Sequence, residues 1–577
     1  MPPTTAPRVL VLDADMSPAL AVTRSLGRLG LCVDIAAHEP NTLSAYSRHA
    51  HLRLVYPDPL KQRDAFLQWM REHLANDRYP LVFPVTERSV SALLPLLDDE
   101  QYKGQIALPR RQSLELALNK ERTLSLARQL GIDCPGSCLI TEESELAKVP
   151  EAFGYPVVIK PARSIGNNGE QAQQLSVAYA QDANELAAKV RHYLLFGEVL
   201  VQQYIRGQGI GIELIADHGE IILPFQHKRL HELPLTGGGS SLRESVAIHP
   251  GMLAAARELV RAMGWHGVAM VEFKHNPQTD QFSLMEVNGR FWGSLPLSIA
   301  AGADFPALLY QLLTQGRIEQ LPVIRQGVLA RKLSADIYWY ELVLRRIGDP
   351  AIVTFPGKRQ LLRDLLSMLS PRHYLDVQQW RDWKPGLIDL RNILAEQWHR
   401  VSGLLQQRKQ HREQKKLWQQ WVGNGQLKKS RQVLFLCYGN INRSAVAQKI
   451  LEKTKNKDLR VLSAGFHNKT KRPADPAMIK VASNDGINLS GWASHCVTQE
   501  MVNESALVLV MEYSHRNRLL QLFPEAAEKT LLLGMVPGAS TGSDEIADPY
   551  GKSLEQYSNC YKQVKAYTRQ VSSFIHP

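Results

Sequence analysis

The residues best suited to covalent chemistry in this sequence stand in one short stretch around Cys437. An apolar run ends at this cysteine, and Arg443 and Ser444 follow after a gap of five residues. The gap is a Gly/Asn-containing loop made of Tyr438, Gly439, Asn440, Ile441 and Asn442. A helix-forming run follows at residues 445–453. A strand, a loop and a helix in this order direct loop amides and a helix N-terminus at one point, which predicts a phosphate-binding cradle.

These residue types suit the hydrolysis of a phosphate ester. The helix N-terminus favours the thiolate form of Cys437, which would attack phosphorus. Arg443 can bind two phosphate oxygens in a bidentate fork, and Ser444 can donate a hydrogen bond to the thiolate. Asp548, 111 residues after Cys437, offers an acid for the leaving oxygen. The alternative is a buried cysteine beside an arginine that caps a helix.

The stretch resembles the active-site loop of the low-molecular-weight protein-tyrosine phosphatases. The Cys-x-Gly-Asn-x-x-Arg-Ser pattern of that family is present at residues 437–444, and its late Asp-Pro-Tyr at residues 548–550. The resemblance implies that Cys437, Arg443, Ser444 and Asp548 are catalytic and that the loop binds phosphate. Many members carry a second loop cysteine where this chain has Asn442, so the resemblance does not extend to a protective loop disulfide.

A second set of polar residues recurs at the ends of predicted strands in the first 330 residues. Lys160 ends an apolar strand and precedes a Gly/Asn loop, residues 164–169, that could fold over phosphates. Glu272 ends a later strand, and Glu286, Asn288 and Arg290 alternate at the end of the next one. Residues two apart on a strand share a face. Carboxylate and amide oxygens on one face suit magnesium, and the arginine would neutralise a transferring phosphoryl group.

In this order the residues resemble the ATP-grasp superfamily, closest in texture to the carbamoyl-phosphate-synthase-like carboxylate–amine ligases. The resemblance implies ATP and Mg²⁺ (or Mn²⁺) as cofactors, metal ligands at Glu272, Glu286 and Asn288, and a catalytic Arg290. It assigns nucleotide binding to Lys120, Lys160, Gly166, Gln202, Gln203, Tyr204, Ile205 and Glu213. The hinge departs from many relatives at Gln203, where they have Glu. Such enzymes phosphorylate a carboxylate and pass the acyl group to an amine or another nucleophile.

Some residues of this region keep more than one interpretation. Arg229 and the Gly-rich loop at residues 237–241 are candidates to close over the γ-phosphate or the acceptor. Each single Lys or Glu at a strand end could instead be a solvated edge residue. The ordered set as a whole favours the nucleotide site. A Walker A loop is absent, because residues 551–553 lack the upstream glycine.

Both candidate sites require α/β elements to position them, and we expect an α/β multidomain fold. Four parts are predicted: a pre-ATP-grasp α/β domain (1–112), an ATP-grasp α+β domain (113–330), a basic helical linker (331–430) and a phosphatase domain with a four-stranded parallel sheet (431–577). In the first part, apolar runs predict buried strands near residues 9–12, 32–36, 52–56, 81–85 and 106–108. A continuous helix is predicted at residues 114–130. No GxGxxG follows the first strand, so a dinucleotide site is not supported.

The formal charge of +12 is concentrated in the middle of the chain. Residues 331–430 contain 19 Lys/Arg and 9 Asp/Glu, and six of the ten tryptophans. Leu387, Leu390, Leu394, Trp398, Val401 and Leu405 recur there at helical spacing. We expect a linker helix that packs this stripe on the ligase domain. The alternative is an electrostatic dock for an anionic membrane, a polyanionic glycan or nucleic acid, and no nucleic-acid motif supports the last.

Composition otherwise predicts a cytoplasmic enzyme. No run of eighteen apolar residues and no signal-peptide core are present, and the six scattered cysteines fit a reducing compartment. The expected partners are a small carboxylate and an amine, with a phosphotyrosine protein or a phosphate ester at the second site. Two alternatives to a bifunctional enzyme are a phosphatase regulated by a nucleotide- or metabolite-sensing ATP-grasp module, and a binding module with an inactive phosphatase loop.

Overall fold

The described residues form five β-sheets, four of which have four or more strands. The computed structural model describes residues 6–75, 78–167, 172–453, 458–538 and 543–575. The chain divides into two units, Met1–Leu394 and Ala395–Pro577, and each is described by itself. The predicted Gly/Asn loop at residues 164–169 lies partly outside the described residues, since its last two positions are not among them.

The first unit opens with a parallel sheet. Its elements and the helix after it are β1 (Arg8–Val11), α1 (Ser17–Arg28), β2 (Cys32–Ala37), β3 (Ala50–Val55), α2 (Arg63–Leu74), β4 (Leu81–Phe83), α3 (Glu87–Leu93) and α4 (Arg111–Leu118). The strand order is β3-β2-β1-β4, with all pairs parallel. The strand predicted at residues 106–108 is wrong: Ile106 forms only an isolated bridge to Val82.

The next elements build a mainly antiparallel α+β region. They are α5 (Lys120–Gln129), β5 (Ser137–Ile140), β6 (Val157–Pro161), β7 (Ile165–Asn167), β8 (Ala172–Gln174), β9 (Ala178–Ala180), α6 (Ala183–Leu194), β10 (Val199–Gln203), β11 (Gln208–Asp217), β12 (Glu220–Leu233), β13 (Gly239–Val246), α7 (Pro250–Ala262), β14 (Gly267–Asn276), β15 (Gln281–Asn288), α8 (Leu295–Ala301) and α9 (Phe305–Gln315). The helix predicted over 114–130 is interrupted, because Asn119 leaves the helical conformation and its side chain caps α5 at the Arg122 amide.

Residues 331–430 contribute elements to both units rather than forming one separate segment. Their elements are β16 (Leu329–Arg331), α10 (Leu333–Leu344), α11 (Lys358–Leu366), β17 (His373–Leu375), α12 (Trp383–Gly423) and α13 (Gln426–Lys429). β16 and β17 extend a seven-stranded sheet of order β15-β14-β11-β12-β13-β16-β17. The expectation that the Leu/Trp stripe packs on the ligase domain is wrong. All six of its side chains are exposed, because the buried side of the first turns of α12 carries Asp389 and Ile393 instead.

The second unit contains the predicted four-stranded parallel sheet. Its remaining elements are β18 (Gln432–Cys437), α14 (Arg443–Glu452), β19 (Arg460–Gly465), α15 (Pro476–Ser483), α16 (Gln499–Glu504), β20 (Leu507–Val510), α17 (Tyr513–Leu522), β21 (Thr530–Leu532) and α18 (Leu554–Ile575). The order is β19-β18-β20-β21. Trp418 of α12 is buried here, and its indole donates to the Leu532 carbonyl at 2.9 Å.

Among the described residues, no single helix is both long and apolar enough to cross a bilayer, although the bent pair α8 and α9 would pass on length and composition alone.

Candidate active sites

The loop between β18 and α14 wraps around the sulfur of Cys437. The Asn440 amide donates to Cys437 Sγ at 3.2 Å, and the hydroxyl of Ser444 lies 3.0 Å from the same sulfur. Cys437 is 2% exposed at the carboxyl end of its strand. α14 begins at Arg443, so its N-terminus faces the loop. The predicted strand, loop and helix are all present, and hydrogen-bonding groups of the loop and of α14 surround the sulfur.

Asn440 fixes the shape of this loop. Its backbone has φ +51°, a left-handed conformation that asparagine tolerates better than most residues. Its side-chain amide donates to Ser444 Oγ at 2.9 Å and Ser463 Oγ at 2.8 Å, and its carbonyl oxygen accepts from the His495 amide at 2.8 Å. The sequence interpretation named Asn440 but missed His495, which no motif marks.

Arg443 brings the predicted acid to the loop. Its guanidinium donates to Asp548 Oδ2 at 2.7 Å and to the Ile546 carbonyl at 2.8 Å, and it also pairs with Glu512. Burial works against the charged form, but Cys437, Asp548 and Glu512 together raise the pKa of Arg443 above its usual value. Cys437, Arg443 and Asp548 therefore belong to one charged cluster, as their types and spacing predict.

Glu512 and His515 are residues of this cluster that sequence reasoning missed. Burial opposes ionisation of Glu512, yet Arg443 holds its pKa below the usual value. Burial and repulsion from Arg443 lower the pKa of His515 to about 4, so this imidazole is neutral near pH 7. Glu512 follows β20 by two residues, and the carboxyl ends of neighbouring parallel strands meet at one sheet edge. That rule was the available signal.

The remaining predicted loop residues line the same site. Tyr438 and Tyr550 are exposed at its rim, while Ile441 and Asn442 are buried. Neither side-chain polar atom of Asn442 has a hydrogen-bond partner among the described residues. Gly465 of β19 lies against the loop: a Cβ there would stand 2.6 Å from the Tyr438 carbonyl oxygen. A glycine is therefore required at this position.

The predicted metal ligands meet on neighbouring strands in the first unit. Glu272 of β14 is paired in register with Glu286 of β15. The amide of Asn288 donates to Glu272 Oε1 at 2.9 Å and to Glu286 Oε1 at 3.2 Å. Two carboxylates and one amide thus form a single cluster of oxygen-bearing groups. This donor set fits a hard divalent cation.

Arg229 of β12 occupies one side of this cluster. Its guanidinium lies 2.6 Å from Glu272 Oε2, and its side chain is 8% exposed. Burial raises the pKa of Glu272, against the attraction of Arg229. Gly209 of β11 leaves the necessary room, since a Cβ there would stand 2.8 Å from Arg229 Cδ. Arg290 follows β15, and its guanidinium donates to the Phe291 carbonyl at 2.8 Å.

Both predicted nucleotide lysines lie beside the carboxylates. Lys120 Nζ donates to Ser164 Oγ at 2.8 Å and is 4.0 Å from Glu286 Oε2. Burial lowers the pKa of Lys160 to about 8, against the attraction of Glu286. Although burial opposes ionisation of Glu286, the two lysines hold its pKa below the usual value. Positive and negative groups thus gather where phosphates and a metal would meet.

The predicted hinge and its neighbours are placed less uniformly. Gln202 is buried and its side-chain oxygen has no partner among the described residues. The Gln203 amide donates to the Gly136 carbonyl at 2.9 Å, and Tyr204 Oη donates to the Ile352 carbonyl at 2.9 Å. Ile205 lies two residues beyond the end of β10. Gly166 lies in β7, where a Cβ would stand 2.7 Å from the Phe196 carbonyl oxygen.

Glu213 lies on the sheet face that carries the metal ligands but is fully buried. β11 pairs Glu213 with Met270, which in turn pairs with Asn288. Its carboxylate accepts from Ser294 Oγ at 2.7 Å and lies 3.0 Å from His227 Nδ1. An open cavity of about 430 Å³ lies nearby, lined by Arg229, Glu232, Lys274, Tyr204 and Trp339 among others. The wall that contains Trp339 comes from the segment predicted as a linker.

Comparisons with known proteins match both halves of the chain. Residues 432–575 match the family model described as low molecular weight phosphotyrosine protein phosphatase, and residues 195–335 match one described as ATP-grasp in the biosynthetic pathway with Ter operon. The low molecular weight protein-tyrosine-phosphatase Etp of Escherichia coli (strain K12) is 34% identical over 142 residues, which are 25% of this chain and 93% of that protein.

Two solved structures illustrate the matches. The L-amino acid ligase from Bacillus licheniformis is 18% identical, with a TM-score of 0.42. The match covers 56% of this chain and 78% of the ligase chain. The tyrosine phosphatase Wzb from Escherichia coli K30, solved in complex with sulphate, is 30% identical, covers 25% of this chain and 97% of its own, and has a TM-score of 0.24.

Proposed function

Because residues 432–575 belong to the low molecular weight phosphotyrosine protein phosphatase family and are fused to an ATP-grasp region, we propose a bifunctional enzyme. One activity is thiolate-dependent hydrolysis of phosphotyrosine or a small phosphate ester. The other is ATP-dependent ligation that forms an acyl phosphate and then an amide or a similar bond. We assign the ligation to residues 1–112 and 113–330 and the hydrolysis to residues 431–577, with residues 331–430 between them. We place the enzyme in the cytoplasm.

In the proposed hydrolysis, the Cys437 thiolate attacks phosphorus as the ester P–O bond breaks. Asp548 gives its proton to the leaving oxygen, and Arg443 and the loop amides hold the phosphoryl oxygens. Water then attacks the thiophosphate, Asp548 takes its proton, and phosphate leaves with the thiolate restored. The observation that supports this proposal is the 2.7 Å contact of Arg443 with Asp548, beside the Cys437 loop.

In the proposed ligation, Glu272, Glu286 and Asn288 would hold Mg²⁺, and Lys120 and Lys160 would neutralise the phosphates. When bound, the metal supplies charge neutralisation between phosphates during transfer. Arg290, two residues beyond Asn288, would neutralise the transferring phosphoryl group. The supporting observation is the sharing of the Asn288 amide between both carboxylates.

One experiment tests the two activities separately. The full chain would be assayed for ADP release with ATP, Mg²⁺ and pools of carboxylates and amines, and for hydrolysis of p-nitrophenyl phosphate. We expect Glu286→Gln to reduce ADP release at least about a hundredfold and to leave the rate of p-nitrophenyl phosphate hydrolysis unchanged. Glu244→Gln, a change on β13 of the same sheet but outside the cluster, is the matched control. ADP release that persists in Glu286→Gln would contradict the ligase assignment.

A regulatory protein is the second candidate. In it, the ATP-grasp region would bind a nucleotide or metabolite without turnover and adjust phosphatase activity. The pairing of Arg229 with Glu272, a predicted metal ligand, favours this candidate, since it leaves one ligand already neutralised. The regulatory candidate would be supported over the ligase by two results together. Nucleotide would bind without ADP release from any acid and amine pool, and nucleotide binding would change the rate of p-nitrophenyl phosphate hydrolysis.

A further inference from the structure

α11 buries a charged side chain and exposes three leucines, the reverse of what a surface helix normally does. Its buried side chain is Asp364, which lies 3.3 Å from His231 Nε2. Leu362, Leu365 and Leu366 are instead exposed, each by at least half. A helix on a water-facing surface normally buries its leucines and exposes its charges. Three exposed leucines opposite a buried aspartate make the outer side of α11 apolar.

The same reversal continues into the start of α12. Asp389 is buried there and accepts from Gln378 Nε2 at 2.7 Å. Gly386 approaches the Gln378 backbone so closely that a Cβ would stand 2.9 Å from its Cα. Trp383 and Leu387, one turn apart, are exposed on the other side. Two successive helices in one unit therefore turn carboxylates inward and large apolar side chains outward.

The exposed apolar side chains of residues 358–394 form a concentrated set. Thirty large apolar side chains of the described residues are exposed, and ten of them lie in this segment of 37 residues. They are Leu362, Leu365, Leu366, Met368, Leu369, Trp380, Trp383, Leu387, Leu390 and Leu394. Trp380 is 94% exposed and lines an open cavity of about 750 Å³ together with Met368. Met368, two residues beyond α11, and Trp380 therefore border the same cavity. We term the exposed side chains of residues 358–394 the 358–394 face.

Charge on this face has one sign. Residues 358–394 contain four carboxylates, and all four are buried: Asp364, Asp376, Asp382 and Asp389. Asp382 is neutralised by buried Arg24 at 2.8 Å, and Asp376 by Arg243 at 2.5 Å. The seven Lys/Arg of the segment are all exposed: Lys358, Arg359, Arg363, Arg372, Arg381, Lys384 and Arg391. Solvent therefore meets cations and apolar side chains without an exposed carboxylate from this segment.

We propose that the 358–394 face docks on the surface of an anionic lipid bilayer. Leucine and tryptophan enter the boundary between headgroups and acyl chains, while flanking lysines and arginines bind anionic headgroups. A nucleic acid or a glycan would use the cations but leave ten apolar side chains without a partner. A second copy of the chain would bury the apolar side chains but bring two sets of seven cations together. A bilayer with anionic headgroups satisfies both features.

The test is co-sedimentation of the full chain with phosphatidylcholine vesicles, with or without about one quarter phosphatidylglycerol. We expect binding to the anionic vesicles at least about tenfold tighter, and weaker binding as NaCl rises from about 0.05 M to about 0.5 M. The triple change Leu365→Asp, Leu366→Asp and Leu369→Asp should lower binding at least about tenfold. The matched control is Leu195→Asp, Leu321→Asp and Leu522→Asp, which adds the same charge at exposed leucines elsewhere.

Each alternative gives a distinct result. Absence of binding to anionic vesicles overturns the proposal. Binding that falls in Arg359→Glu with Arg363→Glu but is unchanged in the leucine triple variant identifies a polyanion site and also overturns it. A wild-type dimer that becomes monomeric in the leucine triple variant by light scattering, without vesicle binding, identifies an interface between copies. Unchanged circular dichroism and an unchanged urea midpoint show that each variant is folded.

Discussion

The two candidate active sites balance their charges in opposite ways. In the second unit, Arg443, the cation that would hold a phosphate, is paired with the carboxylates of Asp548 and Glu512. In the first unit, Glu272, a carboxylate that would hold a metal, is paired with Arg229. A buried charge without a partner is costly, so each site provides its own counter-charge. A bound phosphate or metal would compete with that partner, so each counter-charge is a useful residue to change.

The largest effect is expected at the nucleophile. Cys437→Ser should reduce kcat for p-nitrophenyl phosphate at least about a thousandfold, because a serine hydroxyl is not ionised near pH 7. ADP release should be unchanged, since the first unit holds that chemistry. Cys496→Ser, another cysteine of the same unit, serves as the control. Equal hydrolysis by Cys437→Ser and the wild type would exclude thiolate catalysis.

Arg229→Met tests the counter-charge of the first unit. Removing the cation leaves the Glu272 carboxylate buried and unpaired, so we expect a loss of about 3 kcal/mol in the free energy of unfolding by urea. Lys228 lies next to Arg229 on β12 and forms a partly exposed pair with Glu244 of β13. Lys228→Met removes that pair and should cost under about 1 kcal/mol. Added Mg²⁺ should stabilise Arg229→Met more than the wild type, because it can replace the lost cation. Equal stabilisation would show that no metal binds at Glu272.

Gly465→Ala tests how tightly the phosphatase loop is held. The added Cβ would stand 2.6 Å from the Tyr438 carbonyl oxygen and must displace the loop. We expect kcat/KM for p-nitrophenyl phosphate to fall about ten- to a hundredfold, because small misplacements of catalytic groups are costly. Gly403→Ala on α12 has open space around its Cβ and should leave activity unchanged. A fully active Gly465→Ala would show that the loop adapts.

The smallest effect concerns acid stability of the second unit. The pKa of His515 is about 4 when folded and near 6.5 in an unfolded chain, so the folded form binds fewer protons between these values. The free energy of unfolding should therefore fall by about 2 kcal/mol as the pH drops from about 6.5 to about 4. His515→Asn should flatten this dependence in urea titrations, whereas His399→Asn on the exposed side of α12 should not. A slope unaffected by His515→Asn would remove this histidine as its source.

Sequence alone was sufficient for the Cys437 loop of the second site, because that loop is local in the chain. Residues 437–444 contribute the sulfur, the loop and the arginine within one strand–loop–helix unit, whose geometry follows from its order in the chain. It was also sufficient to place Glu286 and Asn288 on one sheet face, since alternation along a strand determines which side chains share a side. The register of β14 with β15, which brings Glu272 beside them, was decided by the tertiary structure.

Tertiary structure decided which charges meet from distant strands. Glu512, His515 and Arg229 carry no motif, and only strand order brings them to their partners. It also decided which side of α11 and α12 faces outward. Helical spacing defines a stripe but not its direction, and the stripe was predicted to be buried. Because Asp364 and Asp389 find polar partners in the folded unit, the leucines and tryptophans face away from it.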